Sequence, residues 1–346
     1  MKTHQAALAG VPYNDLIKLL APLPRFRSLQ IFKWIARGAQ NFNDMSDLPL
    51  NLREQLNKDF IIRSCKTRTL VKDRDGTVKF GITLEDGTTI EAVLLSDGKN
   101  RKTACISSQA GCPAGCVFCK TGSLGFIRNL SSSEIVEQIL LLKESAGTIS
   151  NIVIMGMGEP LLNLENLRQA LSVICDRQGM NMSKRRITVS TCGISEGIID
   201  LADNGPAIRL ALSLTAADEG LRKRLMPITL TQSLDKLKKA LVYFQNKGGG
   251  RITLEVVLLG GINTGQKDAA ALAAFSAGLD VVVNIIPWNA FECPPVFLPA
   301  LREPERTETE DFKKHLETMG IKATCRYRKG RNISAACGLL ASNACR

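Results

Sequence analysis

The pattern of hydrophobic and polar positions changes near residue 60 and again near residue 100. Up to about residue 60 it predicts helices, with an amphipathic stretch at Leu29–Ala36 and helix formers from Leu48 to Phe60. The next runs are strand-like, and Asp75-Gly76 and Asp86-Gly87 between them are typical of tight turns. These runs are Thr67–Lys72, Thr77–Leu84 and Thr88–Leu95. The pattern therefore predicts a small α+β accessory domain over residues 1–97, with helices followed by a meander.

From residue 98 to residue 346, strand-like and helical patterns alternate. The strand-like runs are Thr103–Ser107, Asn151–Met155, Arg186–Ser190, Ile208–Ser213, Arg251–Leu259 and Val281–Pro287. The helical patterns between them are Ser131–Ala146, Asn163–Arg177, Glu196–Asn204, Ser233–Lys247 and Lys267–Ala277. The nearly continuous apolar runs are typical of buried parallel strands. The predicted class is α/β, either a partial parallel barrel or a doubly wound sheet, with ligands at the carboxyl ends of the strands.

Composition adds a strong basic excess. The 346 residues include 45 Lys and Arg against 33 Asp and Glu, a formal net charge of +12. An excess of this size indicates a polyanionic partner such as nucleic acid, although charge alone fits an ordinary basic protein equally well. Because no apolar run is long enough to span a membrane and the N-terminus lacks a secretory pattern, we expect a cytoplasmic protein with no membrane partner. In that compartment the 11 cysteines favour metal binding or thiol chemistry over a disulfide framework.

Three of the cysteines form a compact motif. Cys112, Cys116 and Cys119 have the spacing C-x3-C-x2-C on a glycine-containing loop after the first predicted barrel strand. Three thiolates can hold a [4Fe–4S] cluster and leave one iron open to another ligand. Structural zinc usually takes four protein ligands, and neither His4 nor His315 supplies a clear fourth. We therefore favour an iron–sulfur cluster over zinc or unliganded thiols.

Small and polar residues follow the predicted strands at the edge where a ligand is expected. Gly158 after the second strand allows close approach of the backbone, and the Glu159 carboxylate can accept hydrogen bonds from an ammonium group. The third, fourth and sixth strands are followed by Ser190, Ser213, Leu214, Thr215 and Asn289. Hydroxyl and amide groups suit hydrogen bonds to ribose and carboxylate groups, although each alone also fits helix capping.

The cysteine spacing, together with Phe118 before the last cysteine, resembles the signature of the radical S-adenosylmethionine superfamily. The resemblance implies a partial (β/α)6 radical-SAM barrel in which the three cysteines bind one [4Fe–4S] cluster. It also implies that S-adenosylmethionine binds the open iron and is cleaved to a 5′-deoxyadenosyl radical. The implied cofactor-binding residues are Gly158, Glu159, Ser190, Ser213, Leu214, Thr215 and Asn289.

Further motifs occur along the chain: Phe32-Lys-Trp34, Cys105-Ile-Ser-Ser-Gln-Ala-Gly-Cys112, Gly156-Met-Gly-Glu-Pro-Leu-Leu-Asn163 and Ala335-Ala-Cys337-Gly. Together they are similar, over nearly the whole chain, to the RlmN/Cfr family of radical methyltransferases that modify an adenine ring carbon in RNA. The resemblance implies that Cys337 accepts a methyl group as S-methylcysteine and that Cys105 resolves the protein–RNA crosslink through a transient disulfide. Glu91 would be the proton acceptor. The expected structural cysteines are Cys65, Cys175, Cys192, Cys293, Cys325 and Cys345.

The resemblance implies methylation of C2 of adenine 2503 in 23S rRNA and of adenine 37 in tRNA, by a monomer that takes electrons from a donor such as flavodoxin. Pro160-Leu161 favours this C2 branch, with the C8-methylating, antibiotic-resistance branch as the alternative. An RNA-binding protein with a structural or redox-sensing cluster and a divergent enzyme with another substrate are further alternatives. Basic clusters that could contact phosphates, or simply be solvated, are Lys184–Arg186, Arg222–Arg224 and Arg326–Arg331, of which the last flanks Cys337.

The chain departs from the family pattern near two of these residues. Thr215 occupies the position where the family usually has histidine, so we expect altered contacts with the cofactor there. Asn332 and Ser334 replace acidic residues before Cys337, and Leu339 replaces a glutamine after it. These changes predict altered positioning of Cys337, whereas every reactive residue is present.

Overall fold

The N-terminal part of the computed structural model is helical, as predicted. The structure describes residues 5–98, 101–292, 294–297, 300–325 and 329–341. Its first helices are α1 (Tyr13–Leu19), α2 (Arg25–Arg37) and α3 (Leu50–Asp59). A proline precedes each of them, at a position where its missing N–H removes no helical hydrogen bond. Two short parallel strands that the pattern did not indicate, β1 (Ala6–Ala7) and β2 (Phe60–Ile61), bring the two ends of this helical unit together.

Three antiparallel strands follow and confirm the predicted meander. They are β3 (Lys66–Lys72), β4 (Val78–Thr83) and β5 (Thr89–Ser96). Gly76 and Gly87 in the two Asp-Gly turns have φ angles of 82° and 84°, a region that glycine enters without strain. Strand β5 also pairs antiparallel with β6 (Lys102–Ile106), so one sheet continues across the predicted domain boundary at residue 97.

The loop after β6 contains a small unit that the pattern did not predict. Strands β7 (Gln109–Gly111) and β8 (Phe126–Asn129) pair antiparallel and enclose the short helix α4 (Lys120–Ser123). The three cysteines of the C-x3-C-x2-C motif therefore lie between two paired strands. This pairing gives the cysteine loop a fixed base.

The rest of the chain forms the predicted parallel sheet. Its strands after β6 are β9 (Asn151–Ile154), β10 (Ile187–Thr191), β11 (Arg209–Ser213), β12 (Ile252–Leu258), β13 (Val281–Pro287) and the short β14 (Ala323–Cys325). The helices are α5 (Ser132–Ala146), α6 (Leu164–Cys175), α7 (Ser195–Asn204), α8 (Glu219–Leu225), α9 (Leu234–Asn246), α10 (Gln266–Ser276) and α11 (Arg306–Thr318). The strand order is sequential from β9 to β14, and β3 and β14 are the two edges. An open sheet of this order, with helices between its strands, is the predicted partial barrel.

The helical unit packs against α5 through close and polar contacts. A Cβ on Gly10 would lie 2.2 Å from the backbone nitrogen of Ser133, so only glycine fits there. The buried Glu137 carboxylate accepts hydrogen bonds from the amides of Ser64 (2.8 Å) and Cys65 (2.6 Å). Residues of both parts belong to one continuous hydrophobic core. Within the described residues, no helix has the length and apolar character needed to cross a membrane.

Candidate active site

A cavity of about 520 Å³ lies at the carboxyl ends of the parallel strands, where this fold places ligands. It brings together the cysteine motif, the two cysteines outside that motif (Cys105 and Cys337) and most of the predicted strand-end residues. The predicted site residues on its wall are Cys105, Cys112, Cys116, Cys119, Gly158, Glu159, Ser190, Ser213, Asn289 and Cys337. The other three predicted residues, Glu91, Leu214 and Thr215, are not among the residues that line it.

The backbone of the cysteine loop is held by the β7–β8 pair. Gly111 has a φ of 72°, and a Cβ there would lie 2.1 Å from the carbonyl oxygen of Gly125. The amide of Cys112 donates to that same carbonyl at 2.8 Å, and the amide of Cys119 donates to the carbonyl of Cys116 at 3.1 Å. The spacing of the motif is therefore combined with a glycine that allows two backbone segments to approach closely.

The environment of the three thiols favours a multi-iron centre. Burial raises the pKa of Cys112 to about 12, and burial also raises the pKa values of Cys116 and Cys119. These thiols ionise only when a nearby positive charge compensates them, and the iron of a cluster would supply it. In the described part of the chain, no three His, Cys, Asp or Glu side chains are close enough to hold one metal ion. In a [4Fe–4S] cluster each thiolate binds a different iron, so the three thiols need not converge on one ion.

A buried guanidinium lies beside these thiols. Arg222 on α8 is 2% exposed and donates to the carbonyl oxygens of Cys192 (2.6 Å), Ser213 (3.2 Å) and Leu214. Burial lowers the pKa of this guanidinium, and the thiols of Cys192 and Cys116 oppose the shift. A buried cation bonded to neutral carbonyls is favourable only near an anion, which thiolates in the cysteine loop would provide.

For Arg222, the prediction that the cluster Arg222–Arg224 contacts phosphate or solvent is therefore wrong. A phosphate or the solvent cannot reach Arg222, because it is buried. Charged residues dominate the seven-residue helix α8. Its sequence gives no signal that one of three adjacent basic side chains points inward.

The second barrel strand ends in the predicted glycine–glutamate turn. Gly158 has a φ of 102°, and a Cβ there would lie 2.5 Å from the Cβ of Gln109. Glu159 is buried, and its carboxylate accepts hydrogen bonds from the amides of Cys192 (2.7 Å) and Leu161 (3.0 Å). Burial raises the pKa of Glu159, while these hydrogen bonds oppose the shift. The turn thus fixes a carboxylate on the cavity wall, where it can accept hydrogen bonds from an ammonium group.

Hydroxyl and amide groups occupy the wall beside Glu159. The hydroxyls of Ser190 and Ser213 are 3.4 Å apart at the ends of β10 and β11. Asn289 donates from Nδ2 to the carbonyl of Cys337 at 3.1 Å, and its buried Oδ1 accepts no hydrogen bond from the described residues. An open acceptor, two hydroxyls and a carboxylate fit the amino, carboxylate and ribose groups of S-adenosylmethionine.

Leu214 and Thr215 lie just behind this wall. Leu214 is fully buried and contributes its backbone, because its carbonyl accepts from Arg222. Thr215 has a φ of 59°, a region that β-branched residues rarely adopt. Its hydroxyl is buried and finds no hydrogen-bonding partner among the described residues.

The two outlying cysteines both face the cavity. Cys105 on β6 is opposite Val93 on β5, and both side chains line the wall. Cys337 follows a short 3₁₀ turn at Arg331–Ile333. The fold therefore brings two thiols that are far apart in sequence to one cavity, as disulfide exchange between them requires.

Glu91 lies two residues before Val93 on β5 and therefore points to the same face of the sheet. Its Oε1 is 3.1 Å from Nζ of Lys79, and its Oε2 accepts from the amide of Ala341 at 2.8 Å. Burial raises the pKa of Glu91, and the ammonium of Lys79 opposes this shift. Lys79 was not predicted as a site residue, because one lysine on a strand gives no signal of its partner.

Other predicted residues also lie near the cavity. Cys192 and Cys325, expected to be structural, line the wall. Of the basic cluster that flanks Cys337, Lys329 donates to the carbonyl of Ser96 and Arg331 pairs with Glu303 at 2.7 Å. The remaining members Arg326, Tyr327 and Arg328, and also Cys293 and Cys345, lie outside the described residues.

Comparison with known proteins agrees with this geometry. Residues 106–273 match the radical SAM superfamily, and residues 9–62 match the ribosomal RNA large subunit methyltransferase N-terminal domain. The chain is 47% identical over 346 residues to the "probable dual-specificity RNA methyltransferase RlmN" of Treponema denticola, covering 100% of the chain and 98% of that protein. Its counterpart from Thermus thermophilus is 38% identical, covering 97% of the chain and 94% of that protein. A solved radical SAM methyltransferase from Sphaerobacter thermophilus superimposes with a TM-score of 0.91 at 36% identity, covering 97% of this chain and 99% of that chain.

Proposed function

The chain belongs to the RlmN family of radical S-adenosylmethionine RNA methyltransferases, and we propose that it methylates C2 of an adenine ring in RNA. The proposed targets are adenine 2503 of 23S rRNA and adenine 37 of tRNA. The supporting observation is that Cys105 and Cys337 line the same cavity as the cysteine motif. Radical chemistry alone needs only the motif, whereas a methyl-carrying and a resolving thiol are needed for this reaction.

The cofactors of this family are a [4Fe–4S] cluster and S-adenosylmethionine. Cys112, Cys116 and Cys119 would hold the cluster, and Glu159 and Asn289 would bind polar groups of S-adenosylmethionine. When bound, these groups supply a methyl group and a carbon-centred radical. Arg222 supplies a fixed, buried positive charge beside the thiolates.

In the proposed reaction the methyl group is carried by this chain. The adenine carbon is electrophilic and does not attack a sulfonium directly, so Cys337 first accepts the methyl group as a sulfide. Removal of one hydrogen atom from that methyl group, by the carbon-centred radical that S-adenosylmethionine would supply, would leave a methylene radical that can add to the ring. The adduct would then lose the proton of the ring carbon to Glu91 and one electron to the cluster, which leaves the base joined to Cys337 through a thioether. The Cys105 thiolate would attack the sulfur of Cys337: the S–S bond forms, the bond from that sulfur to the methylene carbon breaks, and that carbon takes up a proton to become the methyl group of the released base.

The partners follow from the same proposal. A ring carbon of adenine becomes accessible only when the base leaves its stack, so the RNA must present an unstacked nucleotide. The exposed cluster Lys184–Arg186 is available for phosphate contacts. A reducing donor such as flavodoxin would supply electrons, and we propose that the enzyme acts as a monomer.

Nucleoside analysis tests the proposal directly. The chain is expressed in a strain that lacks its own adenine-C2 methyltransferase, and rRNA and tRNA are digested separately for mass spectrometry. We expect 2-methyladenosine in both digests. Detection of 8-methyladenosine instead would establish the alternative C8 reaction, and unmodified adenosine would overturn the proposal.

The Cys105→Ala variant tests the step in which Cys105 resolves the crosslink. It keeps Cys337 and the cysteine motif, so methyl transfer and addition to RNA should proceed up to the crosslink. We expect RNA covalently bound to the protein, detectable as a nuclease-sensitive band of higher mass. Free methylated RNA from this variant would contradict the role of Cys105.

A further inference from the structure

The segment 329–341, which carries Cys337, contains almost no regular secondary structure. It has a 3₁₀ turn at Arg331–Ile333, flanked by Gly330 and Ser334 with φ angles of 69° and 52°, and a second turn closed by the amide of Leu339 and the carbonyl of Ala336. Few of its backbone groups bond within the segment, so neighbouring elements must fix its shape. What the segment contacts therefore decides where Cys337 lies.

One set of contacts fixes the residues after Cys337. The amide of Lys120 donates to the carbonyl of Gly338 at 2.7 Å. Thr121 Oγ1 donates to the carbonyl of Leu340 at 2.5 Å. Both contacts come from α4, directly after Cys119. This side of the segment is therefore attached to the cysteine loop itself.

A second set fixes the residues before Cys337, and it comes from the accessory domain. The amide of Gly330 donates to Asp75 Oδ2 at 2.8 Å. Nδ2 of Asn332 donates to Asp73 Oδ1 at 3.1 Å. Both aspartates belong to the turn between β3 and β4, far from the cysteine loop in sequence. The segment is thus held from two sides, and between them the carbonyl of Cys337 itself accepts from Asn289 at 3.1 Å.

The turn is rigid enough to serve as an anchor. Oδ1 of Asp75 accepts from the amide of Thr77 at 2.8 Å, and the amide of Asp73 donates to the carbonyl of Thr77 at 2.8 Å. A Cβ on Gly330 would lie 2.9 Å from Cγ2 of Thr77, so the two segments are in close contact. Burial raises the pKa of Asp75, but hydrogen bonds from Thr77 and Gly330 and the charge of Lys329 lower it below its ordinary value. Asp75 is therefore a carboxylate that accepts from both segments.

We propose that Asp73 and Asp75 are positioning residues for Cys337. Through Gly330 and Asn332 they hold the segment so that Cys337 stays at the wall of the cavity that Cys105 and the predicted cofactor-binding residues also line. The inference rests on the proposed function, because the purpose of this placement is to let Cys337 carry the methyl group. Placement of a reacting atom to within about 1 Å affects rates by about 100-fold, so small contacts far from the chemistry matter.

The test compares the two Asp-Gly turns of the meander. In Asp75→Asn, one amide oxygen can still accept from Thr77, but an NH2 group faces the amide of Gly330. The matched control is Asp86→Asn: one oxygen of Asp86 accepts from the amide of Thr88 at 2.9 Å in the other turn, and the second pairs with Arg128 on β8 at 2.6 Å instead of with the described part of the Cys337 segment. Hydrogen–deuterium exchange is measured on all reconstituted holoenzymes over peptides covering 329–341. Iron content and the yields of 5′-deoxyadenosine and methylated adenosine are measured on the same samples.

We expect exchange in this segment to be about five-fold faster in Asp75→Asn than in wild type, with no change in Asp86→Asn. The yield of 5′-deoxyadenosine per methylated adenosine should rise several-fold in Asp75→Asn at unchanged iron content. Exchange equal in the two variants would overturn the proposal, as would faster exchange with an unchanged product ratio. Because exchange requires no methylation, failure of the proposed function would appear separately, as wild-type enzyme that forms no methylated adenosine.

Discussion

The cysteine loop and the Cys337 segment face each other across one cavity but are built in opposite ways. Cys112 and Cys116 are buried, and the loop that holds them is fixed by strand pairing and backbone hydrogen bonds. Cys337 is exposed, on a segment held mostly by side chains from other elements and by the backbone amide of Lys120. In the proposed reaction the motif cysteines keep one set of partners, whereas Cys337 meets a methyl group, a base and Cys105 in turn. Rigid placement suits the first role, and adjustable placement suits the second.

The charges of the two regions differ in the same way. Arg222 and Glu159 near the cysteine loop are buried and hydrogen-bonded to backbone groups. Around the Cys337 segment, the carboxylates of Asp73 and Asp75 are much nearer to solvent. Water screens the second set, so its contacts are weaker individually and easier to break. The comparison predicts that substitutions in the cysteine loop change how the cofactor is bound. Substitutions in the Cys337 segment should instead change how much methylated adenosine is formed per 5′-deoxyadenosine.

The largest expected effect separates the two regions by metal content. Cys116→Ala removes one of three cluster ligands from a buried loop, and we expect nearly all iron and visible absorbance to be lost after anaerobic reconstitution. Cys337→Ala should retain wild-type iron content and still form 5′-deoxyadenosine, while forming no methylated RNA. Iron loss in Cys337→Ala comparable to that in Cys116→Ala would show that the two regions are one structural unit.

A smaller effect, on the reduction potential of the cluster, is expected when the buried charge of Arg222 is removed. Removing this buried positive charge disfavours addition of an electron to the neighbouring cluster. One unit charge over about 8–16 Å at an effective dielectric constant of about 20 contributes on the order of 1–2 kcal/mol. For one electron this corresponds to a potential lower by about 40–90 mV in Arg222→Gln.

The charge-retaining variant Arg222→Lys serves as the control for this prediction. Both variants lose some hydrogen bonds to the carbonyls of Cys192 and Ser213, but only Arg222→Gln loses the charge. Redox titration monitored by electron paramagnetic resonance should place the lysine variant closer to wild type. Equal potentials in wild type and Arg222→Gln would remove the electrostatic role of this residue.

The sequence predicted the cysteine-loop side of the comparison far better than the other side. The parallel strands were predicted from continuous apolar runs. The cysteine motif and Gly158-Glu159 each come directly after one of these strands, so the local sequence pattern was sufficient to place them at the site. The helices α8 and α11 were missed because charged residues dominate both. The burial of Arg222 was missed for the same reason.

The attachment of the Cys337 segment lay outside what local pattern can predict. Asp75 and Gly330 are 255 residues apart, and an Asp-Gly pair indicates a turn without indicating what the turn contacts. Asn332 and Ser334 were expected to alter the positioning of Cys337. Asn332 donates to Asp73, and the carbonyl of Ser334 accepts from Lys79, so the charged partners are on the meander. That these changes alter the position of Cys337 relative to other family members stays a prediction.

The smallest expected effect concerns two residues with positive φ angles, one in each region. Thr215 and Ser334 have φ angles of 59° and 52°, but Thr215 is buried and β-branched, whereas Ser334 is exposed. Thr215→Gly removes about 1–2 kcal/mol of strain and about 1–2 kcal/mol for the unpaired buried hydroxyl, and loses about 1 kcal/mol each in packing and in chain entropy. We expect the free energy of unfolding of the cofactor-free protein, measured in urea, to rise by about 1 kcal/mol. In Ser334→Gly the carbonyl still accepts from Lys79, so the change should stay within about 0.5 kcal/mol. If Thr215→Gly unfolds more easily than wild type, then the threonine is packed without strain and its conformation is not a cost of building the rigid side of the cavity.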